Sequence, residues 1–214
     1  MKQSVRKATL AAAAATSVLA LTTAPAHATG PRLATSHAIT LTNSGNVVFT
    51  DISTGAAIVC DTSTGTGTAQ DGPVPPPPTF SINSLTFSGK SNPGGWCSGS
   101  LGLMVQVTAS NLPWSFNPVA SASGVFLGTL TGVKVKIVGS DNCHATLAGP
   151  AGAGASLSAT YTNSTATLTL GSTGSTTNLS VQTTDVNCDP TLFNVGDVFK
   201  LSASYKISPP LPTS

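Results

Sequence analysis

The run Asp141-Asn-Cys-His144 puts a carboxylate, a thiol and an imidazole within four residues, a set from which a thiol nucleophile with its base, or a metal site, could be assembled. Strand alternation argues against that use. Adjacent side chains on a strand point to opposite faces, so Cys143 and His144 are expected to diverge, and a sulfur held in a disulfide offers no thiolate. Serine hydrolysis needs a hydroxyl, a base and an acid that orients the base, and after residue 28 only His37 and His144 could be that base. The run nearest a nucleophile elbow, Gly99-Ser-Leu-Gly102, is one residue short. The chain has no glutamate, so paired carboxylates would have to come from its 7 aspartates. Most of these stand in turn contexts such as Asn187-Cys-Asp189 and Gly196-Asp197. The sequence holds no D-x-D-x-D-G calcium run and no C-x-x-C pair. These residues point away from an enzyme, and no cofactor, catalytic group or metal ligand is expected.

Two tryptophans remain as groups that could hold a ligand, because a flat ring stacks on the apolar face of a pyranose. Trp96, in the Asn92-Pro-Gly-Gly-Trp-Cys97 loop, has a context suited to exposure. Trp114, between Pro113 and Ser115-Phe116, has the context of a core plug at a strand end. Both are candidate ligand-binding residues, Trp96 the stronger of the two.

The elements that must position these groups follow from export. A basic head (Lys2, Arg6, Lys7), an apolar run from Ala8 to Leu21 and the exit Ala24-Pro-Ala-His-Ala28 predict a signal peptide over 1–28, cut after Ala28. The remainder, 29–214, is expected to be one secreted domain. It carries no cysteine beside the cut for a lipid, and Leu211-Pro-Thr-Ser lacks the glycine and apolar tail of a sortase signal. No apolar stretch of 18 residues follows Ala28, so a membrane-spanning helix is not expected. Behind such a leader, Cys60, Cys97, Cys143 and Cys188 predict two disulfides, with three connectivities open. The favoured pairing is Cys60–Cys97 with Cys143–Cys188, closing separations of 37 and 45. In the chain-entropy view each closure stabilises by about 4 kcal/mol.

With the leader removed, Arg32, Lys90, Lys134, Lys136, Lys200 and Lys206 stand against the aspartates, and the chain is close to neutral. Clustered cations are absent apart from Lys134 and Lys136, so nucleic acid is excluded as a partner. Lys134 and Lys136 read as the wet face of a strand. Serine and threonine carry the polarity that charges, at 7% of the chain, do not.

Period-two alternation recurs along the chain. Phe199, Leu201, Ala203, Tyr205 and Ile207 fall on one face; Lys200, Ser202, Ser204 and Lys206 fall on the other. Val133, Val135 and Ile137 alternate with the two lysines, and Leu103, Val105 and Val107 with Met104, Gln106 and Thr108. Further strands are expected near 37–42, 46–52, 80–88, 122–130, 143–148, 155–162, 165–170 and 177–183. The fold class is therefore all-β, a β-sandwich or small β-barrel with two disulfides. Residues 61–79, rich in Pro, Gly and Thr, read as an extended loop. A faint echo between the halves, each with a cysteine pair and an alternating strand after it, admits a pseudo-repeat.

The segments Ala109-Ser-Asn-Leu-Pro-Trp114, Gly128-Thr-Leu-Thr-Gly-Val133, Cys143-His-Ala-Thr-Leu-Ala-Gly149, Tyr161 to Leu168 and Gly196 to Pro209 resemble a group of secreted actinobacterial proteins. The resemblance covers roughly residues 80–210. It implies secretion and an all-β fold and brings no activity, so no functional residue is carried over. The reading from sequence is a secreted or cell-surface, non-enzymatic structural or binding protein whose partner is unknown. The alternatives are an apolar-ligand or carbohydrate binding module and an envelope- or pore-associated β protein.

Overall fold

A chain that alternates apolar and polar residues in nearly every segment can bury one face of every strand only by wrapping a sheet around those faces. In the computed structural model, which describes residues 35–71, 78–171 and 176–211, the chain does this. The described strands are β1 (Thr35–Asn43), β2 (Val47–Asp51), β3 (Ala57–Cys60), β4 (Thr62–Asp71), β5 (Thr79–Ser88), β6 (Cys97–Gly99) and β7 (Met104–Ser110). They continue with β8 (Trp114–Ala122), β9 (Val125–Gly139), β10 (His144–Ala148), β11 (Ala155–Thr162), β12 (Thr167–Leu170), β13 (Ser180–Thr184) and β14 (Phe199–Ser208).

Most of these are halves of longer, bent staves. β1 with β2, β3 with β4, β5 with β6 and β7 with β8 form the first four staves. β9 alone, β10 with β11, β12 with β13, and β14 alone form the rest. Each stave pairs antiparallel with the one before it in the chain. The last closes on the first: Leu41 faces Ile207 and Phe49 faces Leu201. The result is an up-and-down antiparallel barrel, in which the first and last staves pair with each other instead of standing as sheet edges.

A ring of eight staves is just wide enough for side chains to fill. Phe49, Phe116, Trp114, Tyr161, Tyr205 and Phe199 all point inward and are fully buried, with Ile39, Leu41, Ile58, Ile82, Leu130 and Ile137 between them. Phe80 stacks on Phe116 with centroids 5.0 Å apart and meets Tyr161 edge-on at 6.4 Å. At one end of the barrel the segment after β14 folds back, burying Leu211 as its N–H donates to the Tyr161 hydroxyl at 3.1 Å. At the other end the 185–198 loop crosses the mouth. Its Leu192 and Phe193 pack beside Ala56, Ile58, Ser100 and Val105, and Phe193 stacks on Phe199.

Outward positions carry hydroxyls. Thr64 bonds Thr86, Thr66 bonds Ser84, and Asn83 donates to Thr68, so neighbouring staves are laced by polar side chains. Glycine is required where staves press together. A Cβ on Gly128 would come 2.4 Å from the Asn117 carbonyl oxygen.

Three expectations are corrected. Residues 61–79 are not one loop: 62–71 form β4, paired on both sides, because its inward positions Ser63, Gly67 and Ala69 are small enough for a tight wall. A Gly/Thr alternation lacks the large apolar residues that mark a strand, so its period went unread. Residues 72–77, which hold most of the proline run, lie outside the described residues, as does the expected leader. The strands expected near 122–130 and 133–137 are one strand, β9, carried past Gly132 by a register shift opposite Ala155 and Ser156. Residues 100–102 form a short turn, so the strand expected from Leu103 begins at Met104.

Both disulfides pair as favoured, Cys60 with Cys97 and Cys143 with Cys188. The first joins staves two and three, the second joins the sixth stave to the loop after the seventh. The first staple thus lies within the wall, whereas the second ties a loop to it.

Candidate functional site

The Cys60–Cys97 staple has chemistry as its neighbours. Ile58 faces Gly99 and Val59 faces Ser98, and the next opposed positions are Cys60 and Cys97, 4.6 Å apart at Cα. Continuing that register sets Asp61 opposite Trp96. With Cys60 and Cys97 pointing into the core, alternation turns Asp61 and Trp96 outward, and both are half-buried. Between β5 and β6 the chain leaves the wall as the loop 89–96, whose base is cinched by the Gly89 N–H donating to the Gly95 carbonyl at 3.0 Å. Only glycine fits at 89, since a Cβ there would lie 2.3 Å from the Trp96 carbonyl oxygen. The loop is fastened by the Lys90 N–H donating to Asp61 Oδ2 at 2.8 Å, and by Asn92 Nδ2 donating to the Trp96 carbonyl at 3.0 Å.

Beside this loop the outer wall holds an open groove of about 610 Å³, lined by Thr42, Asn46, Asp61, Thr62, Lys90 and Ser91 together with Asn43 and Gly45. It lies where the first stave bends between β1 and β2. Asn43 shapes the bend: its Nδ2 donates to the Gly45 and Asp61 carbonyls and its Oδ1 accepts from the Ser63 N–H. That amide is consumed by structure. Asp61 Oδ1 and the Lys90 ammonium have no hydrogen-bond partner among the described residues, so the groove offers an acceptor, a cation and hydroxyls to an incoming molecule.

Trp114, the second candidate, is not on the surface. It is fully buried, and its Nε1 donates to the Ser110 carbonyl at 2.9 Å, so it cannot stack on a ligand. The plug context outweighed the aromatic face. Trp96 is half-buried, with its indole edge over Gly94.

The Asp141–His144 run behaves as strand geometry requires. Cys143 is buried and His144 is 61% exposed on its side chain. His144 Nδ1 lies 2.8 Å from Asp185 Oδ2, a base with its orienting acid. No hydroxyl is hydrogen-bonded to that imidazole among the described residues, and the neighbouring sulfurs are joined to each other. Cys143, Asp185 and Cys188 bring three potential ligand atoms within 4.8 Å, yet a disulfide supplies no thiolate to a metal. His37 stands on β1, opposite Ala69.

Four aspartates do the same local job. Asp51, Asp141, Asp185 and Asp189 each accept the N–H two residues ahead, from Ser53, Cys143, Asn187 and Thr191. At Asp185 partial desolvation opposes ionisation, but hydrogen bonds from the His144 side chain, the Asn187 N–H and the His144 N–H prevail and hold its carboxyl below the usual range. The Thr191 hydroxyl and N–H lower Asp189 in the same direction. Burial raises both tyrosines. Tyr205, bonded to Ser63 at 2.9 Å, lies far above its ordinary range, and Tyr161 is raised against the opposing bond from Leu211.

Asp61, Asn46 and Lys90 did not stand out in the sequence. The signal that could have found Asp61 is adjacency: it follows one cysteine and Trp96 precedes its mate, so the favoured pairing already sets the two side by side; Asn46 and Lys90 carry no such signal. Among the described residues, by contrast, the inward side chains are packed to near-zero exposure, and the cavity bounded by Ile58, Val105 and Leu192 holds about 10 Å³. Outward rows such as Thr40 and Thr42, Thr64 and Thr66, and Gln106 and Thr108 are polar and exposed, the reverse of an apolar lipid-facing band. No helix among the described residues is long and apolar enough to cross a membrane. Compared with known proteins, the chain matches no family model, no curated protein and no solved structure.

Proposed function

We infer that the chain is an exported, non-enzymatic barrel that acts by binding through its outer surface, outside the cell or at the cell surface. The observation that carries this reading is how its reactive groups are used. Both sulfur pairs are closed, four aspartates serve turns, and the His144–Asp185 pair lacks a nucleophile. Two disulfides are compatible with an oxidising compartment. A filled interior favours surface binding over transport of an apolar cargo, and a hydroxyl-covered exterior favours an aqueous setting over a pore.

Two experiments test it. Intact mass of the exported protein, with and without reduction, is expected to show a chain starting after Ala28 with two disulfides; a retained leader or four free thiols would contradict export. A screen of ester, peptide and glycoside substrates is expected to show no turnover. Hydrolysis abolished by His144→Ala would sink the non-enzymatic reading.

A further inference from the structure

We propose that the groove beside the Cys60–Cys97 staple is a binding site for a neutral saccharide, with Trp96 as its stacking platform. This rests on the surface-binding reading above and names the ligand class. The groove volume falls in the range of about 300–1,000 Å³ usual for small-molecule sites, and its open sides suit a segment of a longer chain. Its lining alternates acceptor and donor: Asp61 Oδ1 accepts, the Lys90 ammonium donates, and the Thr42, Thr62 and Ser91 hydroxyls do either. One carboxylate and one ammonium cancel, so neither a polyanion nor a polycation is favoured. Vicinal sugar hydroxyls match such a lining, because each both donates and accepts, and bonds to the two ionised groups are the stronger ones.

The apolar half of recognition comes from the same loop. A pyranose presents a C–H face, and Trp96, outside the groove lining itself, ends the 89–96 loop that gives Lys90 and Ser91 to it and is set next to Asp61 when the β3–β6 register is continued. The site is held in shape before a ligand arrives. The buried disulfide fixes the two strands, Gly89 closes the loop base, and Asp61 Oδ2 is held by the Lys90 N–H, leaving Oδ1 directed to other partners. Preorganisation of this kind reduces the ordering cost of binding.

The test is titration of the intact exported protein with short oligosaccharides of β-1,4-glucan, α-1,4-glucan and α-mannan, followed by calorimetry and backbone amide shifts. The account expects at least one class to bind, with shifts centred on Thr42, Asp61, Lys90 and Trp96. Trp96→Ala and Asp61→Asn are each expected to weaken binding by about tenfold or more, Trp96→Phe to retain most of it, and Gln106→Ala to leave it unchanged. Trp114 emission verifies that each variant is folded. Shift mapping on the unaltered protein gives an answer even where a variant does not fold. Binding by none of the three, shifts centred elsewhere, or full binding in folded Trp96→Ala and Asp61→Asn would overturn the proposal. None of those results bears on whether the barrel is an enzyme, which depends on turnover through His144.

Discussion

The two disulfides are alike in sequence and unlike in place. Cys60 and Cys97 are both fully buried, opposed on neighbouring strands, and part of the barrel wall. Cys143 is buried too, but its partner Cys188 is partly exposed in the loop that covers one mouth, with Asp185 Oδ1 3.5 Å from its sulfur. One staple fixes the waist and aligns Asp61 with Trp96; the other fastens a cover. Separations of 37 and 45 imply nearly equal chain-entropy terms, so any difference between the two must come from the folded state.

The largest expected effect is at the waist. Replacing Cys60 and Cys97 together by alanine removes the cross-link and opens space in a packed core, and should cost about 4 kcal/mol or more, read as a fall in the chemical-denaturation midpoint. The matching change at Cys143 and Cys188 should cost less. The freed loop regains entropy in the folded state, and hydrogen exchange should rise in 185–198 while the staves stay protected.

Alkali extends the comparison to the two tyrosines, the only ones in the chain. Both have folded pKa values raised above the ordinary 10.0, so their contribution to stability is complete below about pH 10 and declines as pH rises toward the folded values. Tyr161, near the Leu211 end, should ionise before Tyr205, which lies deeper against Ser63. Tyrosinate absorbance against pH should therefore show two steps, the second coincident with unfolding. Simultaneous ionisation without unfolding would mean that the waist is no tighter than the mouth.

The smallest effect is in acid. The Asp185 carboxyl is lowered, so its contribution is present above the ordinary value of 3.8 and is lost as pH falls through the folded value. Below about pH 4 the 185–198 cover should loosen while the waist holds, and Asp185→Asn should bring that loosening to neutral pH. Exchange rates of the loop amides against pH check this.

The barrel wall was largely legible because inward residues such as Phe199, Leu201 and Tyr205 alternate with wet ones, and alternation is a local property. Stave two escaped because Ser63, Gly67 and Ala69 carry almost no hydrophobic signal; their role depends on the Ile39 and Phe80 sides of neighbouring staves, which sequence order does not place. The choice between sandwich and barrel stayed open for the same reason, since closure rests on β1 meeting β14 across the whole chain. Of the candidate residues, Trp96 was singled out by its loop context, and Trp114, whose plug context was read correctly, is buried and cannot be a ligand platform. Asp61 and Lys90 were missed because a groove made by three bent staves has no linear motif.

Timed reduction of the native protein by a dithiol, with alkylation and peptide mass mapping, tests the division between wall and cover most directly. The account predicts that Cys143 and Cys188 become alkylated while Cys60 and Cys97 remain joined until the barrel unfolds. Opening of Cys60–Cys97 first, or of both bridges together under native conditions, would contradict it.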